Sequence, residues 1–233
     1  MKLSQLELSI IFPAYNEEEN IVETIQGAMS FLLSHKAEII VVDDGSTDAT
    51  LERLSPFQEK IKIIQHAHNQ GYGAALRSGF THARGQWIFF CDSDLQFSLD
   101  ALHDFWKYIH EYDLIIGYRF PRRDPALRIM NARIWRYLVN HSLGLRVRDI
   151  NCAFKLIRAS YLHEITLSAK GASINAELLV KLSSHRVIQL PVQHIRRARG
   201  KQTGAHPLVI IRALRELFSL VLDVYFDTEA QRP

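Results

Sequence analysis

The chain has 233 residues, 47% hydrophobic and 23% charged, which is apolar material for one globular domain, or one with a short appendage, and excludes a disordered chain. Its two cysteines, Cys91 and Cys152, lie far apart; they exclude a disulfide scaffold or a cysteine zinc site, Cys91 reads as a buried thiol inside an apolar run, and a reducing cytoplasm is the expected setting. The net charge is only +3, so a polyanionic partner has to be sought in a local concentration of charge.

Glu7, Pro13 and Asn16 interrupt any apolar leader, so no signal peptide is expected. The run Leu8–Phe12 predicts a short buried strand that stops at Pro13. Asn16 predicts a helix cap, with Glu17, Glu18 and Glu19 in a first turn where acids suit the dipole. A second strand, Glu38–Val42, runs into Asp43-Asp44-Gly45, and Ser46 or Thr47 is placed to cap a helix from about Asp48. Ile61–Gln65 is a third strand, Ala74–Ala83 a helix, Trp87–Cys91 a fourth strand, Leu99–Tyr112 a helix and Asp113–Gly117 a fifth strand. Strands alternating with helices predict an α/β fold with a doubly wound, mostly parallel sheet flanked by helices. Ligands of such sheets bind beyond the carboxyl ends of the strands. Residues 13–17, Asp43-Asp44, 69–73, 92–96 and Arg119 should therefore converge on one edge.

The second half is less regular and strongly basic. Ten basic residues between Arg119 and Arg158 face two acids, Asp124 and Asp149, so this segment carries +8 and the remainder −5. Leu127, Met130, Ile134 and Leu138 recur at helical spacing and predict a stripe packed in the core or a groove, with Arg128, Arg133 and Arg136 off it. Residues 154–157 and 187–190 read as short strands. A long amphipathic helix from about Leu208 to Tyr225 is too interrupted by Arg212, Arg215, Glu216 and Asp223 to span a membrane. Its apolar face fits a membrane surface, a partner subunit or the domain itself. The expected plan is a domain over 1–206, with a nucleotide-sugar half (1–118) and an acceptor half (119–206), then a C-terminal helix and tail over 207–233.

Asp92-Ser93-Asp94 ends a hydrophobic strand. Two carboxylates one residue apart on a turn can hold Mg²⁺ or Mn²⁺ and leave positions open for phosphate oxygens, with Gln96 adding a neutral oxygen. Such a cation bridges a diphosphate and stabilises its departure. Asp43-Asp44 is a second acidic strand end: one carboxylate suits a base N–H or ribose hydroxyl, and one suits a turn that caps the next helix. Gly71 and Gly73 let the backbone turn tightly beside a ligand, but position 76 is Leu, which disfavours a nicotinamide site, and no P-loop exists. His66 and His68 read as surface histidines at a strand end.

Residues 9–17 (SIIFPAYNE), 41–48 (VVDDGSTD), 69–73 (NQGYG) and Asp92-Ser93-Asp94 together resemble the family 2 glycosyltransferases of GT-A fold. Residues 146–149 (RVRD), 152–155 (CAFK), 175–178 (NAEL) and 199–203 (RGKQT) are similar to the polyprenyl-phosphate branch, the dolichyl- and polyprenyl-phosphate mannose synthase-like enzymes. The resemblance reaches to about Leu217. It implies an inverting single displacement with Mg²⁺ or Mn²⁺, a UDP- or GDP-linked sugar donor and a dolichyl- or undecaprenyl-type phosphate acceptor. It puts Pro13, Tyr15, Glu17 and Asp44 at the nucleotide, with Ala14, Asp43, Gly71 and Asp92 beside them, and Asp92, Asp94 and Gln96 at the metal. Two features depart from that branch: no C-terminal pair of membrane helices, and Gln202-Thr203 where a small residue is usual.

A phosphate acceptor needs no general base, because a phosphomonoester is already largely ionised at pH 7. Arg119, with Arg128 or Arg133, is placed to hold it bidentately, and Arg199 to clamp the donor diphosphate. If the acceptor is instead a sugar or protein hydroxyl, a base is required and Asp149 is the candidate, unless it is tied to Arg146 or Arg148. A non-catalytic nucleotide-sugar-binding module is the alternative of another class. No nucleic-acid partner is expected, since acids sit at two strand ends. The expected location is cytoplasmic, or peripheral at the inner face of the membrane.

Overall fold

The computed structural model describes residues 6–197, 199 and 207–230, with side chains described for 211–226 of the last stretch. The motif residues 200–203 lie outside the described residues, as do the side chains of Leu208 and Ile210. Seven strands form one sheet: β1 (Leu8–Ala14), β2 (Ala37–Asp43), β3 (Lys62–Gln65), β4 (Trp87–Phe90), β5 (Leu114–Arg119), β6 (Lys155–Arg158) and β7 (Val187–Val192). Their order across the sheet is β3-β2-β1-β4-β6-β5-β7. β1 pairs parallel with both β2 and β4, and every one of its residues is buried, as a central strand covered on both faces requires.

Alternate residues feed two cores. Ile10, Phe12, Ile39, Val41 and Phe89 point to one face, where α1 (Ile21–Leu32), α2 (Thr50–Leu54) and α4 (Ala101–Trp106) cover them with Ile21, Ile25, Leu54, Leu102 and Phe105. Ile11, Ile40, Val42, Ile88 and Phe90 point to the other. There α3 (Tyr72–His82), α5 (Ala126–Leu143), α6 (Ala159–Glu164), α7 (Ile174–Lys181) and α8 (Pro207–Ala230) contribute Leu76, Phe80, Val139, Leu162, Leu178, Leu217 and Leu220. Each such fully buried aliphatic or aromatic side chain stabilises the fold by about 1.5–3 kcal/mol.

The expected mostly parallel, doubly wound sheet with flanking helices and a C-terminal amphipathic helix is present. β6 breaks the parallel pattern by running antiparallel between β4 and β5. Four details differ from expectation. Asn16 does not cap α1: it takes a left-handed φ of 55°, and α1 begins at Ile21 after Asn20. α4 is shorter than the apolar run from 99 to 112. The α6 and α7 helices have short, mixed patterns that carry no clear period. The predicted stripe on α5 is not core: Leu127, Met130 and Ile134 are 62%, 51% and 52% exposed, while Val139 is the buried residue of that helix. Among the described residues no helix is long and apolar enough to cross a membrane.

Candidate active site

The carboxyl ends of β1, β2 and β4 meet through a lattice of side-chain bonds. Asn16 N–H donates to Ser46 Oγ (2.9 Å), Thr47 N–H donates to Asn16 Oδ1 (2.8 Å) and Glu17 N–H donates to Thr50 Oγ1 (2.9 Å). Neither Ser46 nor Thr47 caps α2: its N-cap is Ala49, and Asp48 just before it accepts from Thr50 N–H (3.0 Å). Pro13 and Ala14 are buried at the strand end, and Tyr15 is 42% exposed above them.

The two adjacent aspartates of β2 have separate fates. Asp44 accepts from Gln70 N–H (2.9 Å) and Gly71 N–H (2.8 Å), and sits 2.7 Å from His66 Nδ1, whose Nε2 lies 2.8 Å from Ser78 Oγ. Both Asp44 oxygens are thus engaged inside the chain, and His66 is buried rather than on the surface. Asp43 accepts from Ser46 N–H at 3.3 Å through one oxygen, while the other is buried without a donor. A buried carboxylate oxygen in that state is a ready acceptor for an N–H or O–H from outside. Gly71 adopts φ 101° and ψ 156°, a region essentially limited to glycine. The turn it makes presses against the carbonyls of Lys170 and Ala169. That opposing loop is held by Glu177, which accepts from Ser168 N–H and Ala169 N–H (2.9 Å each).

Beyond β4 lies Asp92-Ser93-Asp94. The middle serine is a staple: Ser93 Oγ donates to Pro13 O (2.9 Å), and Thr24 Oγ1 donates to Ser93 O (3.0 Å). Leu95 follows with φ 58°, an uncommon conformation for a side chain of its size. Gln96 N–H donates to Asp94 Oδ1 (3.2 Å), and its side-chain amide donates to Ile195 O (3.4 Å). Burial, then the charge of Asp94, pushes the Asp92 carboxyl up to about 7, while Tyr72, Arg119 and Lys155 oppose the rise. Burial also raises Asp94, with Arg197 pulling it back. Two desolvated carboxylates, Asp94 buried and Asp92 half-buried, that resist joint ionisation fit a divalent cation, whose charge removes the repulsion. Among the described residues no group of three His, Cys, Asp or Glu side chains completes a cage. Gln96, water and a ligand's phosphates are left to fill the shell, which is the habit of Mg²⁺ and Mn²⁺ beside diphosphates.

Arg197 is the residue that the sequence reading missed. Its guanidinium donates to Glu17 (2.8 and 3.0 Å) and reaches Asp94 Oδ2 at 3.4 Å. Arg199, the expected diphosphate clamp, lies on the surface, where it donates to Glu19 O (3.1 Å) and approaches Glu23 (3.6 Å). The stretch Arg196-Arg197-Ala198-Arg199 offers three arginines, and spacing alone does not say which one turns inward.

At the end of β5, arginines and acids interlock. Arg119 donates through Nε and Nη2 to Asp149 (2.7 Å each), and both side chains are nearly buried. Asp149 is tied to Arg119 rather than to Arg146 or Arg148. Burial works against its charge, but the bonds and charge of Arg119 outweigh it and lower the pKa, which leaves a weak base. Asp124 holds Arg122 (2.7 Å) and Arg128 (2.9 Å) and lies 3.8 Å from Arg119. Arg133 is exposed on α5, and its side chain makes no hydrogen bond or ion pair among the described residues. Of the four arginines expected at an anionic ligand, Arg119 and Arg128 share one cluster; Arg133 lies further along α5 and Arg199 elsewhere.

Residues 9–166 match the family model described as Glycosyl transferase family 2. The chain is 29% identical over 241 residues to a dodecaprenyl-phosphate galacturonate synthase of Rhizobium johnstonii, covering 99% of this chain and 70% of that one. It is 28% identical to an undecaprenyl-phosphate 4-deoxy-4-formamido-L-arabinose transferase of Pseudomonas paraeruginosa (92% and 64%). A dolichol-phosphate mannosyltransferase of Pyrococcus furiosus is 27% identical (93% and 64%). The chain thus spans just under two thirds of the length of the last two relatives. Among solved structures, glucosyl-3-phosphoglycerate synthase from Mycobacterium tuberculosis, in complex with Mn²⁺, UDP and glucosyl-3-phosphoglycerate, superposes with a TM-score of 0.71 at 20% identity, covering 94% of this chain and 79% of that one. The same enzyme with Mg²⁺ and UDP gives 0.71 as well. At that identity the likeness establishes the GT-A fold.

Proposed function

The chain belongs to glycosyl transferase family 2, and we propose that it moves a sugar from a UDP- or GDP-linked donor to a polyprenyl phosphate, with inversion at the anomeric carbon. The supporting observation is the juxtaposition of two opposite charge environments at one sheet edge: the acidic turn of Asp92 and Asp94, and the arginine cluster after β5. The names of the three relatives, all of them polyprenyl- or dolichol-phosphate sugar transferases, support the same acceptor class.

On this reading, residues 1–118 hold the donor. Pro13, Ala14, Tyr15, Glu17 and Gly71 line the nucleotide, Asp43 takes a base or ribose hydrogen through its unfilled oxygen, and Asp44 braces the 69–73 turn. Asp92, Asp94 and Gln96 hold Mg²⁺ or Mn²⁺, which when bound neutralises the charge gathering on the departing diphosphate. Arg197 exchanges Asp94 and Glu17 for the diphosphate. Apart from Arg197, residues 119–206 hold the acceptor. Arg133 meets its phosphate first, Arg128 turns to it from Asp124, and Arg119 stays paired with Asp149 while adding its charge.

A phosphate oxygen of the acceptor attacks the anomeric carbon as the bond from that carbon to the donor's diphosphate oxygen breaks. The electron pair leaves with the nucleoside diphosphate, and no proton has to be removed. Exposed Leu127, Met130, Ile134 and Tyr137 on α5, with Leu214, Phe218 and Tyr225 on α8, form the face that meets a membrane carrying the lipid. Arg133 and Arg136 beside the stripe suit anionic headgroups. This makes the protein peripheral to the cytoplasmic face of the membrane.

The test is a competition between polyprenyl phosphate and the corresponding free polyprenol, each offered with labelled donor and Mn²⁺. Label should enter the phosphate-bearing lipid alone. Equal labelling of the alcohol would overturn the acceptor assignment, because an alcohol requires the base that this reading omits.

A further inference from the structure

Lys155 is completely buried, with no exposed surface, and among the described residues no carboxylate contacts its amine. An ammonium has three hydrogens to donate. Here they go to three neutral oxygens: Ile150 O (3.2 Å), Cys152 O and Asn175 Oδ1 (2.7 Å). The amine therefore ties the turn after Asp149 to the first turn of α7. Lys155 is also the cross-strand partner of Phe90, with Nζ 5.5 Å from that ring. Phe90 and Asp92 are two residues apart at the end of β4, so the ammonium lies beneath the acidic turn.

Asn175, 2% exposed, accepts from this amine and has the Tyr72 hydroxyl as its other polar neighbour. The Tyr72 hydroxyl is buried beside both Asn175 and Asp92, yet meets neither in full hydrogen-bond geometry. A phenol is protonated at neutral pH and brings one O–H to donate. A buried O–H donor without an acceptor is rare and costly to maintain. The Asp92 carboxyl beside it is a group able to take that hydrogen. Carboxylates that bind metals are commonly oriented by such outer hydrogen bonds, and losing one typically weakens metal binding by about 10–100-fold.

We propose that Lys155, Asn175 and Tyr72 form a buried polar thread whose role is to orient Asp92 for a divalent cation. Lys155 fixes Asn175, Asn175 fixes the phenol, and the phenol O–H engages one Asp92 oxygen, leaving the other to face the metal. All three are positioning residues and touch neither donor nor acceptor. The inference rests on the assignment of Asp92 as a cation ligand.

The experiment measures free Mn²⁺ by electron paramagnetic resonance in the full chain, in the presence of UDP and, separately, of GDP. Tyr72→Phe removes only the hydroxyl and is the primary variant. Its Mn²⁺ dissociation constant should rise about tenfold or more, while its urea midpoint and its nucleotide affinity without metal stay at wild-type values. Lys155→Met should shift Mn²⁺ affinity in the same direction and also lower the urea midpoint, since it leaves three buried oxygens without a donor. Wild-type Mn²⁺ affinity in Tyr72→Phe overturns the thread. Wild-type affinity in Asp92→Asn overturns the cation assignment itself, and so separates that failure from the first.

Discussion

Asp149→Asn separates the two ways in which this chain can carry out transfer. In the native structure the carboxylate receives two bonds of 2.7 Å from Arg119, and the two side chains are 8% and 7% exposed, so solvent screens the pair little. Breaking a buried pair from one side costs about 3–5 kcal/mol, and asparagine, which keeps one acceptor oxygen, should fall at about 3 kcal/mol. With a urea slope of about 3 kcal/mol per molar, the unfolding midpoint should drop by roughly 1 M. The carboxyl is held below its ordinary pKa. Its stabilisation is therefore complete above the unfolded pKa and is lost as pH falls through the lower folded one. The variant should accordingly lose less stability than wild type on acidification. Activity should behave differently. A phosphate acceptor needs no base, so kcat with saturating polyprenyl phosphate should fall by less than about tenfold, whereas loss of a true base costs about 10²–10⁴. Steady-state kinetics on protein shown to be folded at the assay temperature decides the matter. A loss of about 10³ or more in kcat at saturating acceptor would refute the reasoning and restore Asp149 as the base.

Other consequences follow from the same geometry. Asp92 titrates near 7 in the folded chain against a reference of 3.8, so over that interval the unfolded chain ionises first and metal-free protein loses stability as pH rises. Urea titrations in EDTA should show this slope, and Asp92→Asn should flatten it and leave the metal-free protein more stable at pH 7 while abolishing transfer. Arg197→Ala removes charge-assisted bonds of the kind worth about 1.5–3 kcal/mol, so the donor KM should rise by about ten- to a hundredfold with little change in the acceptor KM. The equivalent change at Arg199 should move neither. Gly71→Ala forces a side chain into a glycine-only conformation facing the Lys170 carbonyl, and should cost about 1–3 kcal/mol by urea unfolding, with a raised donor KM.

Much of the fold was legible because its central strands are buried on both faces. Leu8–Ala14 and Ala37–Asp43 announce themselves through the apolar runs at 10–12 and 39–42, and the acids that follow must then lie at the sheet edge. The antiparallel course of β6 was not legible, since strand direction is set by the path of the chain and leaves no mark on the composition of Lys155–Arg158. The α5 stripe misled for a related reason: periodicity reveals that a helix has an apolar face, not whether protein covers that face. Asp43 and Asp44 were recognised as a pair, but dividing their work required the amide hydrogens of Gln70 and Gly71, which arrive from 26 and 27 residues away. Arg197 and the Lys155 thread depend on contacts of the same long-range kind. The fold of these segments decides them, and a local spacing cannot.

The most direct measurement of the central claim is product formation from a panel of UDP- and GDP-sugars with polyprenyl phosphate, in Mn²⁺ and in EDTA. A single class of donor should yield a polyprenyl-phosphate sugar in Mn²⁺ and none in EDTA. Absence of glycolipid from every donor, or equal yield in EDTA, would contradict the account.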